Sequence, residues 1–460
     1  NEHLVLGREN IIWFSTYDNI YMLKAYDHRF KKHLQFKNFQ VSTRNIVSDK
    51  VSNLYVGSYK GLYKLNIRNN SSSKIYDTKY PLNYYNSILI NKGSTLWTEG
   101  QGRFIKSINL YSGKIKTITY KGNEDLHSTF IKQKSKDSIW MGSDKGLFIF
   151  NIKTEVFQRY KIGRNDTELT VYDILKDSRK TLWIATDKGL YYKKISGNFE
   201  DYSNTYPYFR NKIILVLHED KYKNLWVGTN NAGVACVNLK ANKIAIYDQL
   251  KGLSNNTVCG ILESDDQMWF STFYGLSVLY KKINKFNNYY IQNGLSENEF
   301  NKRSFFKRND SSLYFGGLNG ITELNPKQFN FIKKSYNIYI SKKEYFSNNQ
   351  NKYIIEYGDT ATNIELPYDK NYFSAEFSIN DLYDYDKSIF YYRIKGLANG
   401  WTLSGASGQV KLYNIPSGNY VLEVKGKNLE GFETENKIKL KIHVEQVFYK
   451  TPYFLAIIIL

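Results

Sequence analysis

Leu225-Trp226-Val227-Gly228-Thr229, a short loop with Gly233, then Val234-Ala235-Cys236-Val237-Asn238 is one copy of a phrase that this chain keeps repeating. Other copies read Leu182-Trp183-Ile184-Ala185-Thr186 before Gly189-Leu190-Tyr191, Ile139-Trp140-Met141-Gly142-Ser143 before Gly146-Leu147-Phe148, and Met268-Trp269-Phe270-Ser271-Thr272 before Gly275-Leu276. The large aromatic recurs at Trp13, Tyr55, Trp97, Trp140, Trp183, Trp226, Trp269 and Tyr314, at spacings of 42, 42, 43, 43, 43, 43 and 45. A period near 43 made of short apolar runs predicts a β-propeller, each repeat being one four-stranded blade.

Within a repeat the runs read as strands A to D. In the copy around Trp183, Val171 to Lys176 is the inner strand A, Thr181 to Thr186 strand B, Gly189 to Lys193 strand C and Asn198 to Tyr202 the outer strand D. Strand B is apolar on both faces because it lies between neighbouring blades, so Trp97, Trp140, Trp183, Trp226 and Trp269 are expected as structural filling. The glycine that opens strand C fits a tight hairpin needing positive φ, as in Asp187-Lys188-Gly189 and Asp144-Lys145-Gly146. These turns account for the glycines without a ligand.

The last repeat runs through Leu313 to Gly316 and Ile321 to Leu324 and meets Pro326 with no strand D. Because closure removes exposed edges, the missing strand is expected from the N-terminal side, in Lys31 to Phe36. The expected fold is all-β, with a seven-bladed propeller over residues 30–327; an eight-bladed ring using every copy is the alternative. Residues 1–29 are then the remnant last blade of a preceding propeller. After Pro326 the rhythm stops, and residues 328–447 carry strand-like runs at Lys352 to Tyr357, Tyr372 to Ile379, Ser388 to Lys395, Gln409 to Tyr413, Gly418 to Lys425 and Lys437 to His443. This pattern predicts a β-sandwich of immunoglobulin or fibronectin type, with Tyr420 as the tyrosine whose hydroxyl caps a corner and Trp401 in the core. Residues 448–460 end in the apolar run Tyr453 to Leu460, which is too short to span a bilayer and is expected to be the start of a truncated transmembrane helix.

The 64 basic and 43 acidic residues leave a net charge of +21. Its lysines are spread over turns and strand edges instead of being gathered into a stripe, which speaks for edge protection and against nucleic-acid contact by this region. Attraction to an acidic polysaccharide stays open. Cys236 and Cys259 occupy dissimilar positions in neighbouring repeats and are expected as buried free thiols. The six histidines show no metal-ligand spacing, no phosphate-cradling loop or nucleophile elbow is present, and no cofactor is expected.

The repeats resemble the regulator-propeller repeats of bacterial hybrid two-component sensors. Phe390 to Leu397 with Trp401, Tyr413 to Tyr420 and Val424 to Asn428 resemble the three-tyrosine domain that follows those repeats. Gly294 to Asn301 and Leu313 to Gly320 are similar to the closing propeller repeat of the same family. The resemblance implies a periplasmic sensor region, often for glycans, joined by a single membrane helix to a cytoplasmic histidine kinase in a longer parent. The chain departs from the pattern in lacking most of a first propeller, in having nothing past the membrane-helix start, and in lacking a glycine in several A-to-B turns, as at Lys221-Tyr222-Lys223-Asn224.

In a propeller the B-to-C and D-to-A loops share one face, where ligands commonly sit. The B-to-C loops present Tyr17, Tyr59, Gln101, Arg103, Asn230, Asn231, Phe273, Tyr274 and Asn319, and the D-to-A loops add Tyr84, Tyr85, Tyr206, Tyr208 and Arg210. Aromatic planes beside amides suit an oligo- or polysaccharide, with rings on C–H faces and amides on hydroxyls. The plain alternative is that tyrosine, with 41 copies, simply populates exposed turns. A hydrolase or lyase would need opposed carboxylates; Asp144 and Asp187 occupy equivalent loops, but both sit in turns that favour aspartate for backbone reasons. The first reading is therefore a non-enzymatic sensor region on the extracytoplasmic side. A secreted propeller hydrolase or lyase and an adhesion scaffold are the alternatives, and homodimerisation is left open.

Overall fold

The computed structural model describes the chain apart from residues 1–3, 7–10, 25–27, 50–51, 78–84, 86, 92–93, 100–103, 123–125, 163–168, 332–334, 349, 359–361, 382–387, 406–407, 429–431, 451–453, 455–457 and 459–460. It divides into two compact units, Asn1–Asn330 and Phe331–Leu460.

The first unit holds seven four-stranded antiparallel sheets in a ring. Their inner strands are Thr43–Ser48, Ser87–Asn91, Ser128–Ser135, Val171–Lys176, Ile214–Glu219, Val258–Ser264 and Phe300–Lys307, and the sheets are numbered one to seven in that order. Each inner strand lies against the next, and Phe300–Lys307 lies against Thr43–Ser48. A separate three-stranded sheet, Leu4–Leu6, Ile11–Ser15 and Ile20–Lys24, stands outside this succession.

The seventh sheet takes its outer strand from the other end of the unit. Phe30–His33 pairs antiparallel with Gly320–Leu324, placing Phe30 opposite Leu324 and His33 opposite Ile321. The partner is the expected one, but the strand begins one residue earlier than Lys31 and ends at His33, not Phe36. Leu34 stops it by turning to φ 56, outside the extended region. Phe30 is 3% exposed and packs against Tyr289 and Phe329, while the His33 imidazole meets the Glu323 carboxylate at 2.7 Å.

The repeated aromatics fill the layers between sheets as the sequence implies: Trp97, Trp140, Trp183, Trp226 and Trp269 are all buried. Three of them are also anchored, Trp269 by donating its indole N–H to the Gln267 side-chain oxygen at 2.9 Å. The Trp183 and Trp226 indole N–H groups donate to Asp177 at 3.0 Å and Asp220 at 2.9 Å, whose carboxylates also accept backbone amides of the A-to-B turns. In those turns the missing glycine is replaced by Lys180 and Lys223 at φ 67 and 64, so the turn geometry survives at the cost of backbone strain. At the B-to-C end a hydroxyl does the corresponding work. Ser58, Ser143 and Thr186 each donate to the carbonyl of the positive-φ glycine three residues on, at 2.8 Å, and accept the amide between.

The second unit pairs a four-stranded sheet (Lys352–Tyr357, Ile338–Ser347, Phe373–Ile379, Gln409–Leu412) with a five-stranded one (Asn363–Leu366, Ile438–Val444, Gly418–Lys427, Ile389–Lys395, Ala398–Gly405). Alternating residues of both face one core that includes Ile338, Phe373, Phe377, Leu422 and Ile442. Tyr420 is buried in that core, and among the described residues its hydroxyl has no hydrogen-bond partner. Trp401 is a correction. It is half-buried on the edge strand Ala398–Gly405 beneath the cationic ends of Arg393, Lys425 and Lys437, at 4.8 to 5.7 Å, because an edge strand leaves one ring face for cations instead of core.

Candidate functional site

Five inner strands carry a bulge at the same level, leaving Arg44, Thr129, Tyr172, Leu215 and Cys259 without an opposite residue. Bulges re-aim side chains and recur beside functional sites. The seventh sheet exaggerates the device. Between Phe300 and Phe305 the inner strand advances five residues against two on its partner, whereas in the sixth it advances three against two between Val258 and Ile261. The two extra residues form a loop containing Lys302 and Arg303, with Arg303 at φ 64.

That loop reaches across the ring at the end carrying the B-to-C loops. The Arg303 guanidinium bonds the Thr129 carbonyl of the third sheet and lies over the Phe130 ring at 4.5 Å. Its Nη2 is enclosed and has no hydrogen-bond partner among the described residues. Beside it the Glu99 carboxyl, at the end of a strand of the second sheet, is 1% exposed with neither oxygen hydrogen-bonded to a described residue. Burial raises the Glu99 carboxyl well above the usual range, opposed by Arg303 and by Ser128, whose hydroxyl is itself committed to the Gly142 carbonyl at 3.3 Å. Burial also lowers the Arg303 guanidinium to about 10 against the pull of Asp173, Glu99 and Tyr172.

Around this pair stand further cations on aromatic rings. Arg44 lies 3.7 Å from the Tyr59 ring centre, and the Lys302 ammonium lies 5.8 Å from Tyr172 and 5.9 Å from Phe273. Asp173 is not an open acid: its two oxygens take the Lys132 ammonium at 2.5 Å and the Leu217 amide at 2.9 Å. The arrangement offers charge-assisted donors, a carboxyl group favoured in its protonated form, and exposed ring faces. It can grip a polyhydroxylated or anionic ligand, and among the described residues it shows no opposed pair of free carboxylates of the kind glycoside hydrolysis uses.

Of the residues singled out in the sequence, Tyr59 and Phe273 join this site. Tyr274 is in the same loop as Phe273 but packs toward Tyr290. Asn230 and Asn231 are tied to Thr257, the first accepting its hydroxyl at 3.3 Å and the second donating its amide to it at 3.0 Å. Asn319 has an enclosed side-chain oxygen without a partner. Tyr206 points away to Asn242 at 2.7 Å, Tyr208 donates to the Ala232 carbonyl, and Tyr85 is core. Arg210 is exposed without an ion pair among the described residues, and Tyr17 is 98% exposed in the separate three-stranded sheet. Arg103, Gln101 and Tyr84 lie outside the described residues, as does most of the apolar run 453–460. Asp144 and Asp187 serve as turn acceptors for the His127 and Thr170 amides. Arg44, Glu99, Tyr172, Lys302 and Arg303 were not foreseen; the one available signal was the last repeat spacing of 45, two longer than its neighbours.

Comparison with known proteins bears on what such a site serves. The model of the two component regulator propeller matches residues 208–231, and that of the Y_Y_Y domain matches residues 381–445. Histidine kinase P4 of Formosa agariphila is 26% identical to this chain over 235 residues, 49% of this chain and 14% of that protein. The extracellular domain of a proposed hybrid two component system from B. thetaiotaomicron superposes with a TM-score of 0.66 at 22% identity, over 96% of this chain and 61% of that one. A second extracellular domain from the same organism gives 0.53 at 18%, over 96% and 62%. Virginiamycin B lyase from Staphylococcus aureus gives 0.53 at 14%, over 64% and 99%. At these identities the likeness to solved structures is one of fold. The chain spans only part of the length of these relatives.

Both thiols are free; Cys259 is buried as expected, while Cys236 is half-buried, and burial pushes Cys236 up to about 12. Among the described residues no cluster of three or more His, Cys, Asp or Glu could hold a metal ion, and no helix is long and apolar enough to cross a membrane.

Proposed function

We propose that this chain is part of the extracytoplasmic ligand-sensing region of a two component receptor, that its ligand is a saccharide, and that binding is relayed through a membrane helix to a cytoplasmic histidine kinase of the parent protein. The observation that carries the reading is the axial constellation itself: an enclosed, unpartnered Arg303 nitrogen and Glu99 carboxyl, ringed by Tyr59, Tyr172 and Phe273, on a regulator propeller. Buried polar groups left without partners are costly, so a ligand that supplies hydroxyls or a carboxylate there recovers hydrogen bonds the free protein lacks. Ring faces beside them suit sugar C–H surfaces. For the signal, the ligand must bind one arrangement of the receptor better than the other, since equal affinity shifts nothing. Residues 1–29 are read as a blade of a preceding propeller and residues 328–447 as the sandwich module that relays the shift.

Thermal-shift screening of the full chain against a glycan library, with product analysis by chromatography, tests this. The expected result is a glycan that raises Tm without being cleaved, and whose effect disappears in Tyr59→Ala and Arg303→Met. Release of shortened sugar assigns an enzyme instead, and retained binding in both variants removes the axial site.

A further inference from the structure

Between the third and fourth sheets lies a second concavity of about 500 Å³, within the range of roughly 300–1,000 Å³ typical of ligand pockets. It opens at the opposite end of these sheets from the B-to-C loops, since Lys180 lies in the A-to-B turn of the fourth sheet and Lys194 follows its third strand. Six lysines line it, Lys132, Lys134, Lys176, Lys180, Lys193 and Lys194, over a floor of Trp140, Tyr160 and Leu182, and no carboxylate is in the lining. Lys132 is held by Asp173, and Lys134 and Lys193 lie over the Trp140 and Tyr160 rings at 5.2 and 6.0 Å. Lys176, Lys180 and Lys194 are exposed and have no ion pair among the described residues.

The neighbouring interfaces make the concentration of charge significant. By register Lys176, opposite Leu182, occupies the position of Glu219, opposite Leu225, and of Glu263, opposite Met268. Glu219 caps the Ser178 amide, and Glu263 takes the Lys281 ammonium and the Lys221 amide, so the next two junctions round the ring, fourth sheet with fifth and fifth with sixth, carry a carboxylate where this one carries a cation. With Lys132 neutralised by Asp173, the other five like charges around one hollow repel one another, and an anionic occupant relieves that repulsion.

We infer that this groove binds an acidic oligosaccharide, one bearing sulfate or carboxylate groups. Its lysines act as point charges for the anionic substituents, and the aromatic and aliphatic floor covers sugar C–H faces. A bilayer surface is flat and cannot enter a recess, and a nucleic acid calls for a stripe of charge longer than this hollow. The site does not rest on the axial one, and either can fail without the other.

The test is calorimetric titration of the full chain with a heparin-derived tetrasaccharide and with its desulfated, carboxyl-reduced counterpart. Binding is expected for the first and not the second, weakening as salt rises. Lys176→Glu with Lys194→Ala weakens it roughly tenfold or more, as losing two charge-assisted contacts requires, with unliganded Tm unchanged because both side chains are exposed. Arg303→Met leaves it intact. Equal binding of the two sugars, wild-type affinity in the double variant, or preference for phosphatidylglycerol vesicles or single-stranded DNA overturns the assignment.

Discussion

Glu99 is set against its own solvation. A carboxyl 1% exposed, with no hydrogen bond to either oxygen among the described residues, is penalised in its charged form by burial, so its proton affinity in the fold exceeds that in the unfolded chain. The sign follows. Above the ordinary glutamate range the native state binds the proton that the unfolded state has released, and stability falls as pH rises, by about 1.4 kcal/mol per pH unit at most. Arg303 faces Glu99 and opposes this, Ser128 less so. Glu99→Gln should therefore raise Tm over wild type, by more at pH 8 than at pH 5, in calorimetric scans across that range. An equal difference at both values would show that Glu99 is ionised throughout. A second residue-scale expectation concerns Lys223, held at φ 64. Lys223→Gly should leave stability unchanged or raise it by up to about 1 kcal/mol in urea unfolding, because relief of left-handed strain slightly exceeds the added chain entropy. Tyr59 and Phe273 were legible as candidates because their loops are named by the repeat. Arg303 was not, because a side chain that crosses the ring contacts residues some 170 positions away, and no local pattern records that.

At the scale of strands, closure depends on four residues. Phe30–His33 is the outer strand of the seventh sheet and is anchored chiefly by Phe30. Phe30→Ala should cost about 3–5 kcal/mol, and hydrogen exchange at Gly320–Leu324 should accelerate more than in the second to fifth sheets. Uniform acceleration would mean that the strand is not an independent latch. The sequence identified the partner because a last repeat without an outer strand must borrow one. It placed the boundary late because Leu34, an apolar residue in a β-like run, adopts positive φ for a turn that periodicity cannot see. In the sandwich the reading missed Ile338–Ser347, Asn363–Leu366 and Ala398–Gly405. The four-residue Asn363–Leu366 pairs parallel with Ile438–Val444, a partner known only from the tertiary arrangement. Ala398–Gly405 opens on Asn399-Gly400, which reads locally as a turn.

At the scale of the whole molecule the chain divides into two units, and the core of the second, from Tyr336 to Val444, is built from residues of that unit. The segment 331–447 expressed alone should fold with sigmoidal denaturant unfolding; a molten, non-cooperative fragment would refute this. The amino-acid sequence by itself determined the class of both units, the repeat, and the need for a borrowed strand, because a period of hydrophobic burial and an unpaired edge are one-dimensional facts. Only the tertiary structure decided where charge collects. Glu99 and Arg303 come from different sheets, and Lys176 matters because its counterparts on the next two sheets are glutamates. Electrostatics sums over distance in space, and folding is what sets those distances.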